Sequence, residues 1–148
     1  MNAFTLVRRI AARPSIGFEA LTTADGIAAW WGPDALPVVK AEIDPRVGGD
    51  YRVHFRTLDG GDHEAFGEIL EIDPPTRLVM SWRYAFGGEP LEQGRVSRIE
   101  VDLRPIAGGV ELTFNHSGLV NDASVASHTN GWTGSLDKLV GKFGEVAG

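Results

Sequence analysis

Four histidines, His54, His63, His116 and His128, are the side chains in this sequence best suited to move a proton near neutral pH. Their spacing forms no HxH or HExxH pair, and the carboxylates are spread along the chain, so no metal site is expected. His54 alternates to the solvent side of "YRVHF", and His63 falls in the turn "DGGDH". His116 and His128 differ from these. His116 follows Phe114 on the apolar side of "VELTFNH", and His128 lies one helical turn before Trp132. Both point to the same end of an interior, where a neutral imidazole can act as a general base or bind a ligand. The alternative is an imidazole that braces the "HSGLVND" corner. Glu68 is a third candidate acid or base. If "AFGEIL" alternates with Phe66 inward, Glu68 is buried among apolar groups, which would raise its pKa; a bulge at Ile69 would instead turn it to solvent. No cysteine is present, and no Ser-His-Asp order or Gly-x-Ser-x-Gly elbow occurs, so nucleophilic catalysis has no support. The pairs "VGG", "DGG", "FGG" and "AGG" separate strands without opening helices, which makes them hairpin turns and not phosphate cradles. No cofactor is expected.

The second chemical resource is aromatic. Trp31, Phe55, Phe66, Trp82, Tyr84, Phe114 and Trp132 are expected, with His116 and His128, to wall a pocket suited to a flat apolar molecule. Trp30 and Tyr51 join the same aromatic set as core.

These side chains must be positioned by strands and helices that the residue pattern announces. "FTLVRRIAA" reads as a strand ending before Pro14, which suits the first turn of a helix. "PSIGFEALTT" supports a short helix presenting Ile16 or Phe18 with Leu21, and a second starts at Asp25, whose carboxylate can cap it. From residue 36 to about 117 the period becomes two: "YRVHF", "AFGEILEI", "RLVMSWRY", "SRIEVDL" and "VELTFNH" are strands parted by Gly/Pro turns, an antiparallel meander. Tyr51, Val53 and Phe55, then Leu78, Met80, Trp82 and Tyr84, then Ile99, Val101 and Leu103, then Leu112, Phe114 and His116 make one apolar face. A long helix begins near Asn121 or Asp122, with Val125, His128, Trp132, Leu136, Leu139, Val140 and Phe143 on one stripe. Only the apolar face of the meander is large enough to cover it.

The pair "AAWWGP" raises a question of its own. Trp30 and Trp31 follow Ile27 at helical spacing and diverge by about 100°. Trp30 is expected to be sealed in the core. Trp31, next to the chain-turning Gly32 and Pro33, is expected at a rim where its N–H can find water or ligand.

Composition sets the outer bounds. The chain has 148 residues, 43% hydrophobic and 23% charged, as in an ordinary soluble globular domain spanning residues 1–148. Net charge is −6 and the basic residues are scattered, which argues against nucleic acid as a partner. No stretch approaches the roughly 18 apolar residues of a membrane span, and no signal peptide is visible, so the cytoplasm is the expected compartment.

The stretches "AARPSIGFEALTTADGIAAWWGP", "DPRVGGDYRV", "GEILEIDPPTRLVMSW", "GVELTFNHSGL" and "GWTGSLDKL" together resemble the stand-alone bacterial homologues of the activator of heat-shock protein 90 ATPase, within the START-like (SRPBCC) superfamily. The resemblance covers nearly the whole chain. It implies an α+β helix-grip fold: a curved antiparallel sheet around a long C-terminal helix, two short helices after the first strand, and a cavity between sheet and helix. It implies no single activity. A small apolar or aromatic ligand is the first expected partner. A chaperone, bound by a protein-interaction module, is the alternative, and a cyclase or hydratase using the same cavity is the third. Oligomeric state is not legible.

Overall fold

The computed structural model describes residues 2–32, 36, 38–88 and 90–146. Strand β1 (Phe4–Ile10) leads into helices α1 (Pro14–Thr22) and α2 (Ala24–Ala28). The meander follows as β2 (Lys40–Ile43), β3 (Asp50–Arg56), β4 (Asp62–Asp73), β5 (Arg77–Phe86), β6 (Ser97–Ile106) and β7 (Gly109–Ser117), and helix α3 (Asp122–Phe143) closes the fold. The seven strands form one sheet in the order β1-β7-β6-β5-β4-β3-β2. Every neighbouring pair is antiparallel, with β1 returning beside β7 through Leu6 opposite Phe114. The curved sheet grips α3, which is the expected helix-grip arrangement. Strand β2 was not anticipated: "KAEI" is too short to show a period, and it forms because its backbone pairs with β3 from Lys40 opposite His54 to Ile43 opposite Tyr51.

Local chemistry accounts for the helix ends. Pro14 opens α1, whose buried side carries Phe18 and Leu21, with Ile16 at its edge. The cap of α2 differs from expectation. Thr23, in extended conformation, accepts the Gly26 amide on its hydroxyl at 3.0 Å, and Asp25 sits one step inside the first turn. Asn121 caps α3 by accepting the Ser124 amide at 2.8 Å. Along α3 the residues His128, Trp132, Leu136 and Leu139 are buried, with Val125, Val140 and Phe143 at the margins of the stripe. Trp30 and Trp31 follow α2, and the Trp31 amide still bonds the Ile27 carbonyl at 3.0 Å, so the helical divergence of the two indoles is kept. Pro33, assigned a part in the turn after Trp31, lies outside the described residues.

One strand faces the other way from the alternation read in the sequence. On β4 the inward residues are Ala65, Gly67 and Ile69, while Glu68 and Leu70 are exposed and Phe66 is only half-buried. The cause is the Tyr51 ring, which crosses β4 so that its hydroxyl can donate to the Ser81 carbonyl at 2.5 Å. A side chain at residue 67 would collide with that carbonyl and come within 2.8 Å of the ring, so only glycine fits. Phe66 therefore turns outward, between the guanidinium groups of Arg52 and Arg83 at 5.2 and 5.4 Å. The register shifts between Ile69 and Glu71, a bulge in which Leu70 is the extra residue.

Candidate functional site

Between the inner face of β3–β5 and helix α3 lies a cavity of about 130 Å³. Its floor is aromatic: Trp31, Phe55, Trp82 and Trp132 are all buried. Trp31 sits edge-on to Trp132 at 5.0 Å between ring centres and 5.7 Å from Trp82, which in turn lies 5.3 Å from Trp132. The mouth is formed by Thr57, His63, Tyr84, Ser127 and Gly131, which are partly or fully exposed.

The helix explains why space is left there. Ser127, Gly131 and Ser135 recur every four residues on α3 and all line the cavity. They form a row of small side chains beside the row of His128, Trp132 and Leu136, so the sheet aromatics meet no bulk at those positions. The hairpin glycines fix the mouth. Gly87 and Gly88 have positive φ, 84° and 75°. A Cβ on Gly88 would lie 2.7 Å from the Tyr84 ring, and one on Gly87 would strike His63 Nδ1. His63 Nδ1 accepts the Gly88 amide at 3.1 Å, and its ring stacks on Phe55 at 5.3 Å.

The expected site residues separate into groups. Trp31, Phe55, Trp82, Tyr84, His128 and Trp132 wall the cavity together. Phe66 and Glu68 are on the outer face of the sheet, for the reason given for β4. Phe114 lies behind the cavity, its ring tilted against Trp132 with 4.6 Å between ring centres. His116 is also behind it, fully buried, with its ring 4.8 Å from that of His128. Trp132 Nε1 donates to His116 Nδ1 at 3.2 Å, which leaves the proton of a neutral imidazole on Nε2, 2.7 Å from Ser97 Oγ. The Ser97 hydroxyl passes its proton towards the Trp82 carbonyl at 3.5 Å. Both ring nitrogens of His116 are thus occupied inside the fold. Burial first, and the neighbouring His128 second, hold its pKa well below the ordinary histidine range.

His128 has a partner that the sequence did not announce. Its Nε2 lies 2.6 Å from the Glu92 carboxylate, and both side chains are buried. Glu92 ends the short 3-10 turn Pro90–Glu92, within a stretch that reads from composition as a plain turn. Sequence pattern also missed Gly32, Thr57, Ser127, Gly131 and Ser135 as wall residues. The four-residue spacing of Ser127, Gly131 and Ser135 was the available signal. His63, read as a turn residue, lines the mouth.

Trp31 corrects an expectation. It is not at a rim: only 2% of its surface is exposed, the same as Trp30. The two differ in hydrogen bonding. Trp30 Nε1 donates to the Ala20 carbonyl at 2.9 Å, whereas Trp31 Nε1 and Trp82 Nε1 are buried with no acceptor among the described residues. Among those residues no cluster of three or more His, Cys, Asp or Glu side chains could hold a metal. No helix among them is long and apolar enough to cross a membrane.

A seven-stranded antiparallel sheet closed on a long C-terminal helix, with a cavity between them, defines a START-like helix-grip protein. Residues 11–144 match the family described as Activator of Hsp90 ATPase homolog 1-like protein, and the chain belongs to that family. Solved structures with the same fold include the AHSA1 protein from Silicibacter pomeroyi, 24% identical over 95% of this chain and 96% of that one, with a TM-score of 0.81. A protein from Chromobacterium violaceum is 24% identical over 97% and 98% of the two chains, with a TM-score of 0.79. Protein Ms6760 from Mycobacterium smegmatis shares 16% identity over 99% and 93%, with a TM-score of 0.80. Among curated proteins none matches the sequence.

Proposed function

We propose that this protein binds a small, mostly apolar aromatic molecule, of about one ring, in the cavity between the sheet and α3. The observation that carries the reading is the aromatic floor of Trp31, Trp82 and Trp132 around about 130 Å³ of space. A cavity of roughly 150 Å³ with apolar walls is enough to hold benzene. Burying one ring there gains on the order of 25 cal/mol for each Å² of apolar surface removed from water. The test is saturable quenching or enhancement of tryptophan fluorescence by single-ring aromatic compounds, repeated on Gly131→Leu. Gly131 lines the cavity from a helix, where leucine is the better helix former, so the variant should fold and fill the space. Binding by the wild type and loss of binding in the variant are expected. A wild type that takes up no ring, or a variant that binds as well, refutes the reading.

The family's name favours a second reading, in which the domain contacts a chaperone and raises its ATPase rate. We expect no stimulation by micromolar protein. A saturable increase that Gly131→Leu leaves unchanged would put the protein-interaction reading first.

A further inference from the structure

We infer that His128 is the polar anchor of the cavity and that the ring it holds carries a neutral hydrogen-bond donor, as a phenol does. The inference rests on the ligand-binding reading and adds the polarity of the occupant. It follows from what each nitrogen of one buried imidazole has as a partner.

His128 stands on the inward stripe of α3 and lines the cavity. Its ring lies edge-on to Trp82, with 6.0 Å between ring centres, so it borders the aromatic floor. Nε2 is held by the Glu92 carboxylate at 2.6 Å. A carboxylate only accepts, so the proton of a neutral imidazole lies on Nε2 and the lone pair of Nδ1 is left over. Nδ1 has no hydrogen-bond partner among the described residues. It is nevertheless reached by solvent, unlike the sealed and unpartnered atoms Trp31 Nε1, Trp82 Nε1 and Ser124 Oγ. The hollows beside Glu92 are not lined by His128, so its open surface belongs to the main cavity. A fixed acceptor at the edge of an aromatic floor is thus what a ligand meets there.

The groups around the imidazole oppose a second proton on it. His116, on β7, faces it with 4.8 Å between ring centres, and both His116 nitrogens are occupied by Trp132 and Ser97. Tyr84, on β5, lies 6.0 Å away between ring centres. Neither accepts from Nδ1, so a proton there would make a charged donor without a partner in the fold, which is costly. A phenol hydroxyl donates to the bare nitrogen and leaves every charge as it was. A ketone or ether oxygen would meet Nδ1 lone pair to lone pair. An anion can be held only if His128 takes up the second proton. Its single positive charge would then serve both Glu92 and the ligand, leaving a net negative charge in a low-dielectric space.

The experiment titrates toluene, phenol, anisole and benzoate into the wild-type protein, read by tryptophan fluorescence and by ¹⁵N spectra of the histidine rings. The four histidine signals are assigned through single His→Gln variants, with His128 also reached by elimination from the other three. Phenol is expected to bind about tenfold tighter than toluene or anisole, the factor that one net hydrogen bond supplies. It should also move the His128 Nδ1 signal upfield, as in a nitrogen that accepts a hydrogen bond. In His128→Gln the amide nitrogen can still donate to Glu92 while nothing replaces Nδ1, so this variant should bind toluene and lose the preference for phenol. Support requires the preference and the Nδ1 shift in the wild type, which stand whether or not the variant folds. Equal affinity for toluene and phenol, anisole binding as tightly as phenol, or tighter phenol binding with Nδ1 unmoved overturns the inference and leaves the ligand-binding reading standing. A folded His128→Gln that keeps the preference overturns the role of His128. Benzoate binding most tightly overturns the choice of a neutral donor. If no compound binds, both the inference and the reading beneath it fail.

Discussion

At the scale of single residues, the two adjacent tryptophans show how much a side chain's partner decides. Trp30 and Trp31 are equally buried, so hydrophobic burial alone predicts equal costs on substitution. Trp30 also satisfies the Ala20 carbonyl, while the Trp31 N–H satisfies nothing among the described residues. Trp30→Phe should therefore cost about 1–3 kcal/mol more in urea unfolding than Trp31→Phe, the range for orphaning a buried polar group. Equal losses would show that the Ala20 bond contributes little. The sequence made the burial of Trp30 legible, but it placed Trp31 at a rim because a helix end resembles an edge; the sheet aromatics that cover it lie far away in the chain. His116 gives a second residue-level test, through pH. Its folded-state pKa is lowered by burial and by His128, so the unfolded chain takes up a proton near pH 6.5 that the folded one refuses. Stability rises with pH wherever the unfolded state binds more protons. The contribution of neutral His116 is thus complete above about pH 6.5 and is lost as pH falls below it, by up to about 1.4 kcal/mol per pH unit. Urea unfolding of the wild type should weaken between about pH 7 and 5, and His116→Gln should show a shallower decline. Parallel declines would assign the acid sensitivity to other groups.

At the scale of elements, β4 separates what alternation can and cannot say. Strands β3, β6 and β7 follow the simple rule, because their large apolar residues fall on every second position and the sheet has one inner face, while on β5 Val79 is buried along with Leu78 and Met80. On β4 the rule points the wrong way, since Phe66 is the largest apolar residue and yet the inner positions hold Ala65, Gly67 and Ile69. Small inner residues are needed where Tyr51 reaches across to Ser81. That demand originates on a neighbouring strand, and no window along β4 contains it. A pair of variants checks the assignment. Gly67→Ala should cost about 1–3 kcal/mol or more, because the added carbon meets the Ser81 backbone and the Tyr51 ring with no flexible neighbour to yield. Phe66→Ala should cost less, since what it loses is mainly outward packing and the stacking of Arg52 and Arg83, about 0.5–1 kcal/mol at an exposed site. Thermal melts in the reverse order would put Phe66 back on the inner face. The same logic covers α3. Its buried stripe was legible at helical spacing and a pocket against it was expected, whereas the part of Ser127, Gly131 and Ser135 in leaving that space open was not read from the sequence.

At the scale of the whole molecule, the order of elements was legible because Gly and Pro turns punctuate strands of regular length, and the family resemblance added the grip of the sheet around α3. What makes the grip obligatory is the inner face itself. Tyr51, Val53, Ile99, Val101, Leu112 and Phe114 are each at most 2% exposed. Helices α1 and α2 are 9 and 5 residues long and cannot cover such a face alone. The 22-residue α3 does, through Trp132 against Phe114, Trp82 and Trp31, and through Leu136 and Leu139 farther along. Beyond α3 the chain is tied back to β1 by the Ala11 amide on the Gly144 carbonyl at 2.9 Å and by pairing of Ile10 with Glu145. Removing residues 122–148 should therefore abolish cooperative unfolding and leave a chain that binds hydrophobic dyes, as expected when an apolar sheet face has lost its cover. Point variants place the loss on the stripe and not on chain length. Trp132→Ala should cost about 3–5 kcal/mol and Leu136→Ala about 2–5 kcal/mol, the ranges for large buried side chains cut to alanine. Asp137→Ala, on the solvent side of the same turn, should stay within about 0.5 kcal/mol, because its ion pair with Arg8 is long at 3.5 Å and exposed. A truncated chain that still melts cooperatively, or an Asp137 loss equal to that of Leu136, would mean that the sheet is stabilised by something other than its grip on α3.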